Sequence, residues 1–338
     1  MGHGWIFTCI ECRSNESWLV GGTYIDKGDS STEFVKVLKS SDKELPSGRR
    51  VVGLCVSPDG HLAIALQDCI HVFSLVPPLG PADAQIVPFK QIMEPLGSIS
   101  NIGWIAGVFE RCSIALCLKG PKSDTVLVYG SLMGAIRYKN NVMQTPAGAI
   151  HLFSASEPGH VAVVHGQGNE RDLHMLCYDS MSNKFVQMNV ELGKTTIKRP
   201  AALAMGDKLT VVGYAYPPDS VTVGLVEVYR MGERVVVTQR SIPASIPTAL
   251  ATNGSRVLVG VSRCPDAPRD AEFESTLYAF SVTASDNFAI CKCGVEHDTW
   301  HPGSIALSSA ALCYARNITS PETGDTYSIV EHAVVAAR

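Results

Sequence analysis

The chain has 338 residues, 46% apolar and 18% charged, with a formal net charge of −4. That composition supplies a large core and excludes a disordered chain, while the weak negative balance excludes a whole-chain electrostatic footprint for nucleic acid or an anionic membrane. The cysteines number eleven, an odd count, and Cys55, Cys69, Cys112, Cys117, Cys177 and Cys313 sit inside apolar runs. They fit reduced thiols packed as small hydrophobes, so a reducing compartment is expected, the cytoplasm first and the nucleus second.

Taken in chain order, "WIFTCIE" from Trp5 reads as a first strand. Glu11, Arg13 and Glu16 come too early for the apolar region of a signal peptide, and the "MGHG" ahead of Trp5 is too short to act as a latch strand. Cys9 and Cys12 have the spacing of a redox pair without the βαβ context that makes one informative. The second segment, "VVGLCVS", "PDG", "HLAIAL", "QD", "CIHVFSL", alternates apolar runs of strand length with turn residues. A proline then recurs ahead of each small-residue run: Pro46, Pro95, Pro146, Pro200, Pro247 and Pro302, about fifty residues apart, in the range of propeller and array repeats. Proline suits the first residue of a strand entering from a loop, because it fixes φ and lacks a donor. The runs behind it, such as "PAGAI", "PAALA" and "PTALA", are small, as strands converging on an axis must be.

An aromatic repeatedly closes the third run, at Phe73, Tyr129, Tyr178, Tyr229 and Phe280, and gives a second register mark. More polar fourth strands follow at Ala135–Met143, Lys184–Leu192, Arg234–Ile242 and Phe288–Gly294. The last segment, Asp325–Arg338, reads as one long third strand with no fourth, so an open outer edge is expected along Thr326–Val335. No long helical periodicity is present. The expected fold is all-β, one domain made of a single seven-bladed β-propeller of roughly four-stranded blades, at about 5–45, 46–94, 95–145, 146–198, 199–245, 246–300 and 301–338. The sequons at Asn15, Asn253 and Asn317 are expected to stay unmodified in a reducing compartment.

The stretch Val51–Leu75 resembles a WD-repeat blade: an apolar strand ending in Ser-Pro-Asp-Gly, a second strand, an Asp turn, and a third strand ending in an aromatic. Elsewhere the pattern is degenerate; Tyr178-Asp179 stands nearest to a Trp-Asp dipeptide. The resemblance implies a seven-bladed propeller acting as an interaction platform, and it carries fold further than function.

No hydrolase or metalloprotease signature occurs. The cluster "CKCGVEHDTWH" offers Cys291, Cys293, His297 and His301, but its cysteine spacing is tighter than structural zinc sites prefer. The glycines of "HGQGNERD" lie between strands, with no helix behind them to hold phosphate. Arg49 and Arg50 stand out in an inner region otherwise almost free of charge, and they do not form the Phe-Arg-Arg-Gly signature of phosphoinositide-binding propellers. The expected function is therefore a non-enzymatic protein-interaction scaffold within a larger assembly, with no cofactor, no metal and no nucleic acid. A phosphoinositide-binding propeller is the first alternative and an enzyme with an axial-channel site the second.

Loops on a rigid scaffold concentrate binding residues. The expected contact residues are accordingly Lys119 and Lys122 in "KGPKSD", Arg171 and Asp172 in "GQGNERD", and Arg263, Asp266, Arg269, Asp270 and Glu272 in "RCPDAPRDAEFES". Tyr327 and Ile329 on the open edge of the last blade would meet a partner strand.

Overall fold

The computed structural model describes residues 4–12, 17–25, 31–39, 51–56, 61–76, 85–93, 98–104, 113–130, 138–156, 159–179, 181–182, 184–206, 208–217, 224–230, 236–242, 245–263, 275–283, 287–293, 305–307, 311–319 and 326–334. Among these residues the secondary structure is β-strand and turn throughout, and no helix is long and apolar enough to cross a membrane.

The strands form antiparallel sheets, each a meander of consecutive strands. The first sheet is β1 (Gly4–Cys12), β2 (Ser17–Ile25) and β3 (Ser31–Lys39). The second is β4 (Val51–Val56), β5 (His61–Leu66), β6 (Cys69–Val76) and β7 (Gln85–Met93). The third is β8 (Ser98–Trp104), β9 (Ser113–Lys119), β10 (Ser123–Gly130) and β11 (Tyr138–Pro146). The fourth is β12 (Ile150–Ser156), β13 (His160–His165), β14 (Glu170–Asp179) and β15 (Lys184–Lys194). The fifth is β16 (Arg199–Gly206), β17 (Leu209–Ala215), β18 (Gly224–Arg230) and β19 (Val236–Ile242). The sixth is β20 (Ser245–Thr252), β21 (Arg256–Arg263), β22 (Ser275–Ser281) and β23 (Asn287–Cys293). The seventh is β24 (Ile305–Leu307), β25 (Ala311–Thr319) and β26 (Thr326–Val334).

Five sheets have four strands, while the first and the seventh show three among the described residues, the seventh being the unit expected to lack a fourth. β26 runs unbroken through Glu331 and pairs with β25 from Thr326 to Val334.

The chain divides into two compact units, one of residues Met1–Ile102 with Gly303–Arg338, the other of residues Gly103–Pro302. In the first unit β1 lies against β4 and against β24 and β25, and β2 against β26. In the second unit β16 lies against β12 on one sheet and β20 on another. First strands therefore neighbour first strands, which requires small residues where they meet. Gly206 shows the requirement: a Cβ there would stand 2.1 Å from the carbonyl oxygen of Thr252. At Gly103 it would stand 2.5 Å from the Cβ of Ala155.

Second strands are the most deeply buried. Every residue of β5 and β17 is buried, and β9 and β13 are buried except at their last residue. This is why "HLAIAL" and "LTVVGYA" are continuous apolar runs rather than alternating ones. The outermost β15, "KFVQMNVELGK", has water along most of its length and a polar sequence to match. Between the fifth and sixth sheets Val211, Val226, Val228, Val257, Val259, Val261 and Phe280 form one buried cluster, each fully buried side chain contributing about 1.5–3 kcal/mol.

The prolines differ from their expected place. Pro146 ends β11 rather than opening β12, while Pro200 and Pro247 lie inside β16 and β20. Both interior prolines immediately precede a bulge that leaves Ala201 and Thr248 without a partner across the ladder. The same bulge falls at Val52 in β4 and at His151 in β12, where no proline occurs. A first strand has one free edge, so a missing N–H costs no ladder bond. Pro46, Pro95 and Pro302 lie outside the described residues. The β20–β21 hairpin turns on Asn253, whose Oδ1 accepts from Ser255 N at 3.1 Å and Arg256 N at 2.9 Å, with Gly254 at φ 86°.

Candidate functional site

The β13–β14 hairpin gathers the densest set of titratable side chains among the described residues. Its turn, residues 166–169, sets His165 directly opposite Asp172 across the ladder, and His174 opposite Val163. Strand alternation then puts His165, Asp172 and His174 on one face. This is the face that packs Val161, Val163 and Leu176 against Ala115, Cys117, Val126 and Val128 of the third sheet. The three side chains lie at the loop end of that inter-sheet core.

The donor atoms of His165, Asp172 and His174 all lie within 4.8 Å of one another. The two imidazoles stand edge to face with centroids 3.9 Å apart. His174 is buried, at 8% exposure, and its Nδ1 meets the side-chain amide of Gln187 at 2.5 Å; that amide meets Asn189 at 2.9 Å. Nε2 of His165 is buried with no hydrogen-bond partner. Burial first, and then the neighbouring His165, holds His174 down to about 4. Burial also lowers His165, against the pull of Asp172.

The surroundings are anchored by two cross-sheet contacts. Asp124, buried on β10, accepts from Ile150 N at 2.9 Å and forms an ion pair with Lys119 at 2.7 Å, and Lys119 Nζ also donates to the Ile150 carbonyl. Burial alone would raise the Asp124 carboxyl, but Lys119 and the backbone N–H groups of Ile150 and Gly148 outweigh it and hold it low. His151, at the bulge, contacts the Gly166 carbonyl through Nε2 at 3.1 Å. The turn itself is tied down by Gly166 N donating to Ala149 O at 3.0 Å and Thr195 N to Asn169 O at 2.7 Å.

Several expected contact residues take other positions. Arg171 and Asp172 belong to β14 rather than to a loop, and Lys119 ends β9. Lys119 is committed to the inter-sheet tie described above. Arg171 donates to the carbonyls of Gly168 at 2.8 Å and Glu170 at 2.7 Å, bracing the turn. Lys122 is exposed at the tip of the β9–β10 turn. Arg263 ends β21, and Tyr327 and Ile329 lie in β26, in strands whose side chains at these positions fall outside the described residues. Asp266, Arg269, Asp270 and Glu272 lie outside them altogether, as do Arg49, Arg50, His297 and His301; Cys291 and Cys293 are in β23.

Sequence reasoning passed over His165 and His174. The signal was present in "HGQGNERDLH": the hairpin closes with residues 166–171 between the partners His165 and Asp172, and the Asp-x-His step repeats the strand period.

No family model matches the chain, and no curated protein matches it. Solved structures do. The Dos1 propeller aligns with a TM-score of 0.50 at 9% identity, over 93% of this chain and 75% of that one. A chain of the mitotic checkpoint complex aligns at 0.51 and 9% identity, over 93% and 83%. An apocarotenoid oxygenase from Synechocystis aligns at 0.51 and 7% identity, over 97% and 86%. At such identities the likeness concerns architecture, and the chain has the fold of an all-β propeller built largely of four-stranded blades.

Proposed function

We propose that the seven sheets are the blades of one ring and that the chain is a non-enzymatic protein-interaction scaffold, a cytoplasmic subunit of a larger assembly. The observation that carries this reading is the contrast between first strands and connections. The seven first strands, β1, β4, β8, β12, β16, β20 and β24, hold only two charged residues, Glu11 and Arg199, apart from His151. An axial channel lined this way lacks the acid, base and cation sets that catalysis draws on. The connections between second and third strands are the opposite: the β21–β22 connection, "CPDAPRDAEFE", is long and charged, and Lys122 is exposed on the β9–β10 turn. The checkpoint-complex chain, which works within an assembly of proteins, supports the reading by analogy of fold.

Replacing Arg263, Asp266, Arg269, Asp270 and Glu272 together by Ser tests it. The variant should keep the wild-type melting temperature and lose the partner that wild-type protein captures and cross-linking identifies. Retained capture moves the interface elsewhere, the free edge of β26 being the next surface to vary. Flotation with phosphoinositide vesicles is expected to leave the protein unbound; binding there would replace the scaffold reading with the lipid one.

A further inference from the structure

We propose that His165, Asp172 and His174 form a binding site for one zinc ion, an inter-sheet metal site separate from the charged connections of the scaffold reading. Two imidazoles and one carboxylate are a ligand set that zinc accepts, with a fourth position left for water; calcium and magnesium would demand oxygen ligands throughout.

The backbone fixes the geometry before any ion arrives. His165 and Asp172 are partners across the β13–β14 ladder, and His174 lies two residues further along the same face. The hairpin is rigid on both sides, because β13 pairs with β12 and β14 with β15. Zinc–nitrogen bonds of about 2.0–2.1 Å place tetrahedral ligand atoms roughly 3.3 Å apart. The donor atoms here, within 4.8 Å of one another, reach that spacing by small side-chain rotations.

Two further observations point at a ligand rather than at packing. The first is the bare Nε2 of His165, buried without a partner. Burying a polar atom unpaired is costly, and native structures seldom do so without a use for it. A cation would accept that lone pair. The second is the support behind His174. Its Nδ1 is held by Gln187, whose amide is steadied by Asn189. Gln187 Nε2 lies at Nδ1 and donates to Asn189 Oδ1; turning both amides together sets Gln187 Oε1 to accept from Nδ1–H and Asn189 Nδ2 to donate to that same oxygen, which frees the His174 Nε2 for an ion, the arrangement by which outer groups orient metal-bound histidines. The charge also fits: Asp172 supplies the anion, and Arg171, the neighbouring cation, is spent on the turn carbonyls.

The test uses the full chain, stripped with a chelator and titrated with ZnCl2, then with CoCl2 as a visible probe. One equivalent of zinc should bind and raise the melting temperature, and a chelator should reverse the rise. Cobalt should give the visible bands of a low-coordinate site and shift the ring protons of two histidines. Asp172→Asn should abolish stoichiometric binding. Gln187→Leu, an exposed residue that touches the ion only through His174, should weaken it by about 10- to 100-fold. Absence of cobalt bands in the wild type would overturn the proposal, and so would zinc affinity unchanged in both variants. Because the imidazole shifts are read on wild-type protein, misfolding of a variant does not rescue or sink the idea. The charged-connection variant of the scaffold test should bind zinc normally, so the two proposals fail separately.

Discussion

Two inter-sheet interfaces of the second unit both bury polar groups, and they do it in opposite ways. Between the fourth and fifth sheets, Lys198 Nζ meets Glu227 Oε1 at 2.7 Å and Oε2 at 2.9 Å. Tyr229 donates to Glu227 at 2.6 Å, Tyr214 lies 3.2 Å from Tyr229, and Lys198 sits 4.3 Å above the Tyr214 ring. Burial first pushes both phenols far above their ordinary range, joined at Tyr214 by Tyr229 and Glu227 and at Tyr229 by the Glu227 carboxylate against the pull of Tyr214, so they remain donors. Each charge has its complement, and the network is closed. Between the third and fourth sheets, the His165–Asp172–His174 group leaves a buried nitrogen with nothing to bind. A closed network specifies which sheets pack together; an open one leaves the buried His165 nitrogen unsatisfied at its end of the interface.

The largest test of that contrast is Lys198→Met. It leaves Glu227 buried without its cation and should cost about 3 kcal/mol, since removing one member of a buried pair strands the other. Denaturant midpoints would read it, and adding Glu227→Gln should restore most of the loss. A single variant of wild-type stability would show that the network is loose and the contrast false.

Acid should act mainly on the open group. His174 titrates near 6.5 when unfolded and at about 4 when folded. Its folded-state value is depressed, so the unfolded chain binds the extra proton, and stability is full above about pH 6.5 and declines as the pH falls toward 4. His174→Gln should flatten that part of the stability–pH curve. An unchanged slope would place the acid sensitivity elsewhere.

A smaller effect of opposite sign is expected from His165→Leu in metal-free protein. Deleting an unpaired buried nitrogen should leave stability unchanged or raise it by up to about 1 kcal/mol. A loss of several kcal/mol would mean that the imidazole is already satisfied. Least of all should follow from replacing Lys122 by Ser, an exposed change expected to fall within about 0.5 kcal/mol in either direction.

The sheets were readable because their signals are local and repeated. The aromatics Phe73, Tyr129, Tyr178, Tyr229 and Phe280 all fall in third strands, and Phe73, Tyr229 and Phe280 pair with the second residue of the strand before, at Leu62, Thr210 and Val257. Continuous apolar runs marked the second strands correctly. The prolines, read as opening their strands, lie second in β16 and third in β20, each just ahead of a bulge that sequence alone does not announce, while Pro146 ends β11. Charged residues near turns were read as free contacts, yet Lys119 and Arg171 spend their donors on neighbouring carbonyls. His165 and His174 were passed over because their meaning lies in the ladder register, which counts across a turn instead of along the chain.

The turn at Asn253 has a consequence for how the molecule ages. Asn-Gly is the dipeptide most prone to deamidation, because the unhindered glycine nitrogen attacks the side-chain carbonyl carbon, expels ammonia and leaves a cyclic imide that water opens. Here that carbonyl is pinned by the amides of Ser255 and Arg256, and the Gly254 nitrogen is engaged by Thr252 Oγ1 at 3.2 Å. Attack must therefore wait for the β20–β21 hairpin to open. The slow gain of mass at this peptide on storage becomes a clock for local opening, running faster wherever the hairpin loosens.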